Sequence, residues 1–324
     1  AHRRRSAGGP HGQGRVSAPY DCIVVGGGAA GIAAAQRLHG QGRSILLLEA
    51  RDRLGGRGWT VTPDGLPPLD MGCGWLHSAD RNVWARIAER VGIEIDRTTP
   101  PWGQQAGRHG FPKEEHLEFN AAREAFEERV TAAAAEGRDP AAATLLEPGN
   151  RWNPLIDALN GFINGTYLDR QSTVDYDRYE DTYTNWRLPG GYGALMQHHA
   201  AGLPVRVGCA VTAIDHTGGL VRVETVQGAL TARTVIVTAP TNILAAGVIR
   251  FPASVDPWLH AAAHLPLGLA NKLFIRVGKP EALPKDGNLI GSPYTSQTGS
   301  YHLRPFGRPL IEGYFGAGLA EDLE

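Results

Sequence analysis

Three cysteines in 324 residues are too few for a disulfide scaffold, and Cys22, Cys73 and Cys209 form no C-x-x-C pair. That spacing excludes a zinc finger and fits a reducing, cytoplasmic compartment. No window holds about 18 uninterrupted apolar residues, so no transmembrane helix and no membrane partner are expected. Basic and acidic residues nearly cancel, 32 against 33, for a formal charge of -1. A nucleic-acid binder that works by counterion release is thereby disfavoured. The histidines, the His198-His199 pair included, show no ligand spacing, so no metal is expected. The chain lacks a G-x-S-x-G elbow, which removes the sequence case for a serine hydrolase. Lysine is also scarce: only 4 of the 32 basic residues are Lys, so one placed beside a reaction centre stands out.

What is abundant is glycine, 42 residues, with 22 Pro, spread along the chain without an internal repeat or a low-complexity tract. The length suggests about two domains, each large enough to bury a core. Residues 1–19 stand apart: they carry Arg3, Arg4, Arg5 and Arg15 and no acid. They read as a disordered basic tail. The arginine run resembles the start of a twin-arginine signal, but no apolar segment follows it. The chain opens on Ala1 rather than Met, which leaves room for a lost upstream segment.

The rest divides by pattern. Asp21 to Val25 and Ser44 to Leu48 are apolar strands, with a helix between them over 29–39 that places Ile32, Ala35 and Leu38 on one side. This is a βαβ unit. A helix is expected over 80–92 with Val83, Ile87 and Val91 inward. A Pro- and Gly-rich boundary follows over 98–115, and another helix over 118–136. Asn153 before Pro154 reads as a cap followed by a first-turn proline, and a further helix spans 194–201. Strands are then expected over 205–214, 220–225, 234–238, 271–277 and 309–315.

Gly26-Gly27-Gly28-Ala29-Ala30-Gly31 matches G-x-G-x-x-G. Gly26 permits a tight turn, Gly28 a close backbone approach to pyrophosphate, and Gly31 close packing of helix on strand. The helix N-terminus offers free N–H groups to phosphate. Glu49, at the end of the second strand, sits where a carboxylate accepts ribose hydroxyls. An ordinary glycine turn is the alternative, and strand, helix and acid at their proper distances speak against it. The loop alone does not separate NAD from FAD. Glu49-Ala50-Arg51-Asp52-Arg53-Leu54-Gly55-Gly56-Arg57 runs on from the ribose acid and ends by aiming a guanidinium past two glycines.

That continuation resembles the second FAD motif of the flavin-containing amine oxidases, the monoamine and polyamine oxidases and their relatives. Leu69-Asp70-Met71-Gly72-Cys73-Gly74-Trp75-Leu76-His77 is similar to the family's segment around the flavin, and Leu188 to Leu195 to its G-G-Y/M-x-x-L. Ala210-Val211-Thr212-Ala213-Ile214 resembles the strand whose Val contacts adenine, and Val235 to Pro240 the return strand. The resemblance spans about residues 20 to 320. It implies an α/β fold: a Rossmann-like FAD-binding domain, discontinuous over 20–97 and 190–254, with an inserted α+β substrate domain over 98–189 and 255–324. It implies FAD as cofactor, held by Gly26, Gly28, Ala30, Gly31, Glu49, Ala50, Arg51, Gly56, Arg57, Gly72, Cys73, Gly74, Trp75 and Val211.

The resemblance also implies the reaction. A primary or secondary amine is oxidised at its C–N bond to an imine, and oxygen is reduced to hydrogen peroxide. Lys272, in the apolar stretch Gly268 to Ile275, resembles the lysine that holds a water near flavin N5. Without that context it reads as a lysine snorkelling from a sheet edge. His77, Tyr183 and Trp186 are candidates for the substrate wall, against a plain reading as surface or core residues. The alternatives are a related flavin desaturase, an L-amino-acid oxidase with Arg187 as its carboxylate-binding candidate, or a truncated FAD-fold chain without activity. The family continues past the strand at 309–315, so a C-terminal part is expected to be missing here, or supplied by a second polypeptide.

Overall fold

The protein is described by a computed structural model over residues 18–103 and 112–324. The expected basic tail lies outside the described residues except for residues 18 and 19, as does part of the expected 98–115 boundary. The chain begins β1 (Tyr20–Val25), α1 (Ala29–His39), β2 (Ile45–Leu48), then three two-residue strands, β3 (Thr60–Val61), β4 (Leu69–Asp70) and β5 (Trp75–Leu76). Helices α2 (Val83–Arg90), α3 (Lys113–Ala135), α4 (Asn153–Asn164) and α5 (Thr173–Asp177) follow, then β6 (Trp186–Arg187) and α6 (Tyr192–His199). Next come β7 (Val205–Arg206), β8 (Val211–Asp215), β9 (Val221–Thr225), β10 (Gly228–Val237), α7 (Thr241–Ala245) and α8 (Asp256–Ala263). The last elements are β11 (Ala270–Arg276), β12 (Gly287–Ile290), β13 (Ser300–Leu303), β14 (Leu310–Gly316) and α9 (Gly318–Glu321).

A six-stranded sheet in the order β7-β2-β1-β10-β9-β8 carries the first half of the fold. Strands β7, β2, β1 and β10 run parallel, β9 runs antiparallel to β10, and β8 antiparallel to β9. The uninterrupted apolar runs of β1 and β2 follow from burial on both faces. Cys22, Val24, Ile45 and Leu47 pack on one side with α1, α2 and α6, while Ile23, Val25, Leu46 and Leu48 pack on the other with β8 and β9. A second sheet, β11-β14-β13-β12, is antiparallel throughout, and a separate core joins α3, α4 and Ile290.

Several local expectations shift. In α2, Trp84, Ala85, Ile87 and Ala88 face the core, whereas Val83 and Val91 are exposed. The bulky Trp84 chooses the buried stripe, and Asn82 caps the helix by accepting from the Trp84 N–H. Helix α3 starts five residues earlier than expected, directly after Pro112, with Glu114 and Glu115 in its first turn. In α4 the capping position is Trp152, and Asn153 is already helical; its amide donates to the Glu147 carbonyl instead. The expected single strand over 205–214 is two strands, β7 and β8, on opposite edges of the sheet.

One buried charge ties the two sheets together. Arg187 stands opposite Trp75 in the β5–β6 pair and exchanges backbone hydrogen bonds with Asp96. Its guanidinium pairs with Asp96 at 2.6 Å and with Asp286 at 3.1 Å, and lies over the Phe306 ring at 4.2 Å. Burial alone would raise the Asp286 carboxyl. Hydrogen bonds from His302 and the Phe306 N–H, together with Arg187, outweigh it and hold that group at about 2. Because the folded value is depressed, Asp286 contributes its stabilisation fully above about pH 4 and loses it as pH falls through its folded value. Arg187→Met, which strands two buried acids, is expected to lower stability at pH 7 by about 3 kcal/mol. Urea midpoints of the two proteins should converge as pH drops from about 4 toward 2; equal midpoints at pH 7 would contradict this role.

Candidate active site

The first glycine loop is built by contact with its own sheet. Gly26, at φ +107°, donates to the Leu48 carbonyl at 2.8 Å, and Thr238 donates its hydroxyl to the Val25 and Gly26 carbonyls. A Cβ on Gly31 would stand 1.8 Å from the Gly26 carbonyl oxygen, so only glycine lets α1 pack this closely. Gly28 is different: a Cβ there would meet nothing nearer than the Gly56 Cα at 3.9 Å. The space beside Gly28 is therefore open and not needed for folding. It adjoins the N-terminus of α1, which has no side-chain cap and no acid in its first turn. Ala30, on that turn, is exposed.

The second motif closes over the first. The Gly55 N–H donates to the Gly27 carbonyl at 2.8 Å, which brings Gly56 against Gly28. Glu49 accepts from the Gly27 N–H at 2.6 Å and from the Arg51 N–H at 2.9 Å. Two backbone donors leave part of the carboxylate's acceptor capacity free. Ala50, Arg51 and Arg57 are exposed, and Val211 is buried in β8 beyond the end of β2. The Cys73 N–H donates to the Arg57 carbonyl at 3.1 Å, and this delivers the Gly72-Cys73-Gly74 turn to the same track. A Cβ on Gly74 would lie 3.1 Å from Lys272 Nζ. A nearly side-chain-free strip of backbone thus runs from the Glu49 carboxylate, past a helix N-terminus, to a lysine ammonium. Its open cradle at Gly28 has room for a phosphate, which the free N–H groups at the start of α1 could hold.

Around Lys272 the second sheet supplies a mixed face. Lys272 is opposite Tyr314, and Phe274 opposite Glu312, so all four share one side of the sheet. Lys272 Nζ pairs with Glu312 at 2.9 Å and donates to the Asp70 carbonyl at 3.1 Å. The Asp70 carboxylate accepts from the Tyr192 N–H at the start of α6 and from the Thr60 hydroxyl. Burial pushes that carboxyl up, against those hydrogen bonds and the Lys272 charge. A small cavity of about 30 Å³ lies here between the short strands β4, β5 and β6 and the second sheet, lined among others by Trp75, Arg187, Phe306, Arg308, Glu312 and Tyr314. Arg308 donates to the Pro68 and Pro189 carbonyls at 3.0 and 2.8 Å.

Of the expected substrate residues, none lines this cavity. His77 bonds Asn185 at 2.7 Å, and its ring lies 6.1 Å from Trp102, which packs on Trp75. Trp186 lies under the Arg97 guanidinium, and Tyr183, at φ +57°, is 85% exposed. Glu312, Tyr314, Phe306 and Arg308 were not singled out by sequence reasoning. The available signal was a lone acid in the apolar run Leu310-Ile311-Glu312-Gly313-Tyr314-Phe315. Among the described residues no three His, Cys, Asp or Glu side chains group as a metal site, and no helix is long and apolar enough to cross a membrane.

Residues 29–324 match the family described as flavin containing amine oxidoreductase. Polyamine oxidase 4 of Oryza sativa subsp. japonica is 27% identical over 80% of this chain and 59% of its own length. Polyamine oxidase 2 of Arabidopsis thaliana is 28% identical over 93% of this chain and 68% of its own. The chain thus spans less than two thirds of the rice relative. A putrescine oxidase variant with redesigned cofactor binding superposes with a TM-score of 0.72 at 18% identity, over 94% of this chain and 77% of that one. This likeness shows the fold: a Rossmann-like unit joined to an α+β unit. None of these matches points to a second polypeptide.

The contrast between the two glycines is testable. Gly28→Ala should leave the melting temperature unchanged but weaken FAD binding at least tenfold, equivalent to about 1.4 kcal/mol. Gly31→Ala should destabilise the fold itself by about 3 kcal/mol, the upper end for overpacking. Thermal melts beside a fluorescence titration with FAD distinguish the two, and intact FAD affinity in Gly28→Ala would place the cofactor elsewhere.

Proposed function

The chain belongs to the flavin containing amine oxidoreductases, and from that membership we propose that it binds FAD and oxidises a primary or secondary amine to an imine. The observation that carries this reading is the glycine-lined strip that joins Glu49 to Lys272. When bound, flavin would supply a two-electron acceptor for a hydride or its equivalent from the carbon beside the amine nitrogen, with oxygen as the final acceptor, reduced to peroxide.

The chain's own residues do the rest. Glu49 accepts the ribose hydroxyls, and the free N–H groups at α1 hold the pyrophosphate, with Gly28 and Gly56 leaving room and Arg57 adding charge. Ala30, Ala50 and Arg51 flank that segment, and Val211 lies toward the adenine end. Gly72, Cys73, Gly74 and Trp75 would line the flavin ring, and Lys272 Nζ would hold a water beside it. The side chains of Trp75 and Phe306 would border the amine and help exclude bulk water; His77 stands near Trp102, which packs on Trp75. Tyr183 and Trp186 remain outside the cavity, so their contribution to the substrate wall has no geometric support. We place the domain limits at 20–97 with 190–254, and 98–189 with 255–324; the six-stranded sheet within the first set and the antiparallel sheet within the second support this division.

Arg187 weighs against an amino-acid oxidase, because its guanidinium is already engaged by Asp96 and Asp286. The charged lining weighs against a desaturase acting on a long apolar substrate. A reducing, cytoplasmic setting belongs to the same proposal and is supported by cysteines that form no close pair.

An absorbance scan of protein loaded with FAD, followed by a peroxide-coupled panel of monoamines, polyamines and amino acids, assigns the substrate class. Peroxide from amino acids alone would overturn the amine reading. Lys272→Met should retain FAD yet slow reoxidation of the reduced cofactor by about a hundredfold. Unchanged stopped-flow reoxidation would remove Lys272 from the mechanism.

A further inference from the structure

The hydrogen-bond directions around Lys272 follow from chemistry alone. Trp75 Nε1 is a donor only, and it lies 3.2 Å from the Tyr314 hydroxyl. That hydroxyl therefore accepts from Trp75 and spends its own proton on Glu312, with which it is hydrogen-bonded. Lys272 is likewise donor-only and gives one proton to Glu312 and one to the Asp70 carbonyl. Glu312 thus accepts from both sides and is a carboxylate. The chain of bonds runs from Trp75 through Tyr314 to Glu312, and from Lys272 to the same carboxylate. Two of the three ammonium protons are committed, and one is left.

We infer that Glu312 is a positioning residue: it clamps Lys272 as an ammonium with a single free N–H beside Gly74, and Tyr314 and Trp75 hold the clamp in place. This rests on the reading of Lys272 as the group at the flavin edge. The sheet register gives the clamp its precision. Glu312 lies two residues from Tyr314 on β14, diagonal to Lys272 on β11 and opposite His302 on β13, so its carboxylate cannot swing away without leaving the face. Both partners are nearly buried, with side chains 11% and 12% exposed. Without the carboxylate the Lys272 nitrogen loses its nearest counter-charge and one of the two acceptors that fix it, and is freer to react.

The chain's lysine scarcity makes this directly measurable. The other three lysines, Lys113, Lys279 and Lys285, are all exposed and serve as internal references. Acetic anhydride labelling at pH 8, read residue by residue by mass spectrometry, needs no cofactor and no turnover. Glu312→Gln is isosteric and removes only the charge; it should raise Lys272 labelling about tenfold relative to the three references. Tyr314→Phe keeps the ion pair but removes a donor to Glu312, and should raise labelling about threefold; it decides the matter if Glu312→Gln does not fold. Unchanged relative labelling in the folded variant would overturn the clamp. Failure of the functional reading looks different: Lys272→Met would leave flavin reoxidation untouched while the labelling contrast persisted.

Discussion

Asp70 uses both of its acceptor groups at once, and the meeting of the two sheets depends on it. Its carboxylate closes the N-terminus of α6, where the helix has no side-chain cap of its own. Its carbonyl, one peptide away, receives the Lys272 ammonium from the opposite sheet. A single short strand is therefore held by helix α6, which packs on the six-stranded sheet, and by a charge of the antiparallel sheet. The Gly72-Cys73-Gly74 turn that follows is placed by both. Carboxylates at helix N-termini are stabilised by the free N–H groups there, which helps Asp70 tolerate its burial.

The charges between the sheets show the same economy. Arg187 is shared by Asp96 and Asp286, and Lys272 is paired with Glu312. Buried ion pairs of this kind add little net stability over apolar packing, but removal of one member is severe. Their effect here is on geometry. Phe306 and Trp75 sandwich the guanidinium, and Asp286, Arg304 and Phe306 all adopt positive φ around it. Strained non-glycine backbone of this kind persists where surrounding contacts over-determine it. The result is a cavity whose walls are held by paired charges, Arg187 with its two acids and Lys272 with Glu312.

Local pattern was enough to read much of this molecule. The βαβ unit was legible because β1 and β2 are apolar on both faces, and because Gly26, Gly28 and Gly31 each have a separate reason to lack a side chain. Helix α1 and the return strand ending at Val237 were likewise readable from period and punctuation. Lys272 stood out as one of few lysines in an apolar strand. Less legible were the short strands β12 and β13; β12 buries Ile290 only in the core that α3 and α4 build. The inward face of α2 was misread because Trp84, by sheer size, outweighs the Val83–Ile87–Val91 spacing.

Sequence by itself determined the family, and it marked the glycine loop, the acid that follows it and the lone strand lysine, since each depends on residues close together in the chain. Only tertiary structure decided what surrounds that lysine. Glu312 and Asp70 lie 40 residues after it and 202 before it, and Arg187 reaches its partners from two other loops. No local period encodes such pairings: an acid in a strand becomes a clamp or a solvated edge according to which strand hydrogen-bonds beside it, and register across β11, β14 and β13 is settled by the packing of the whole sheet.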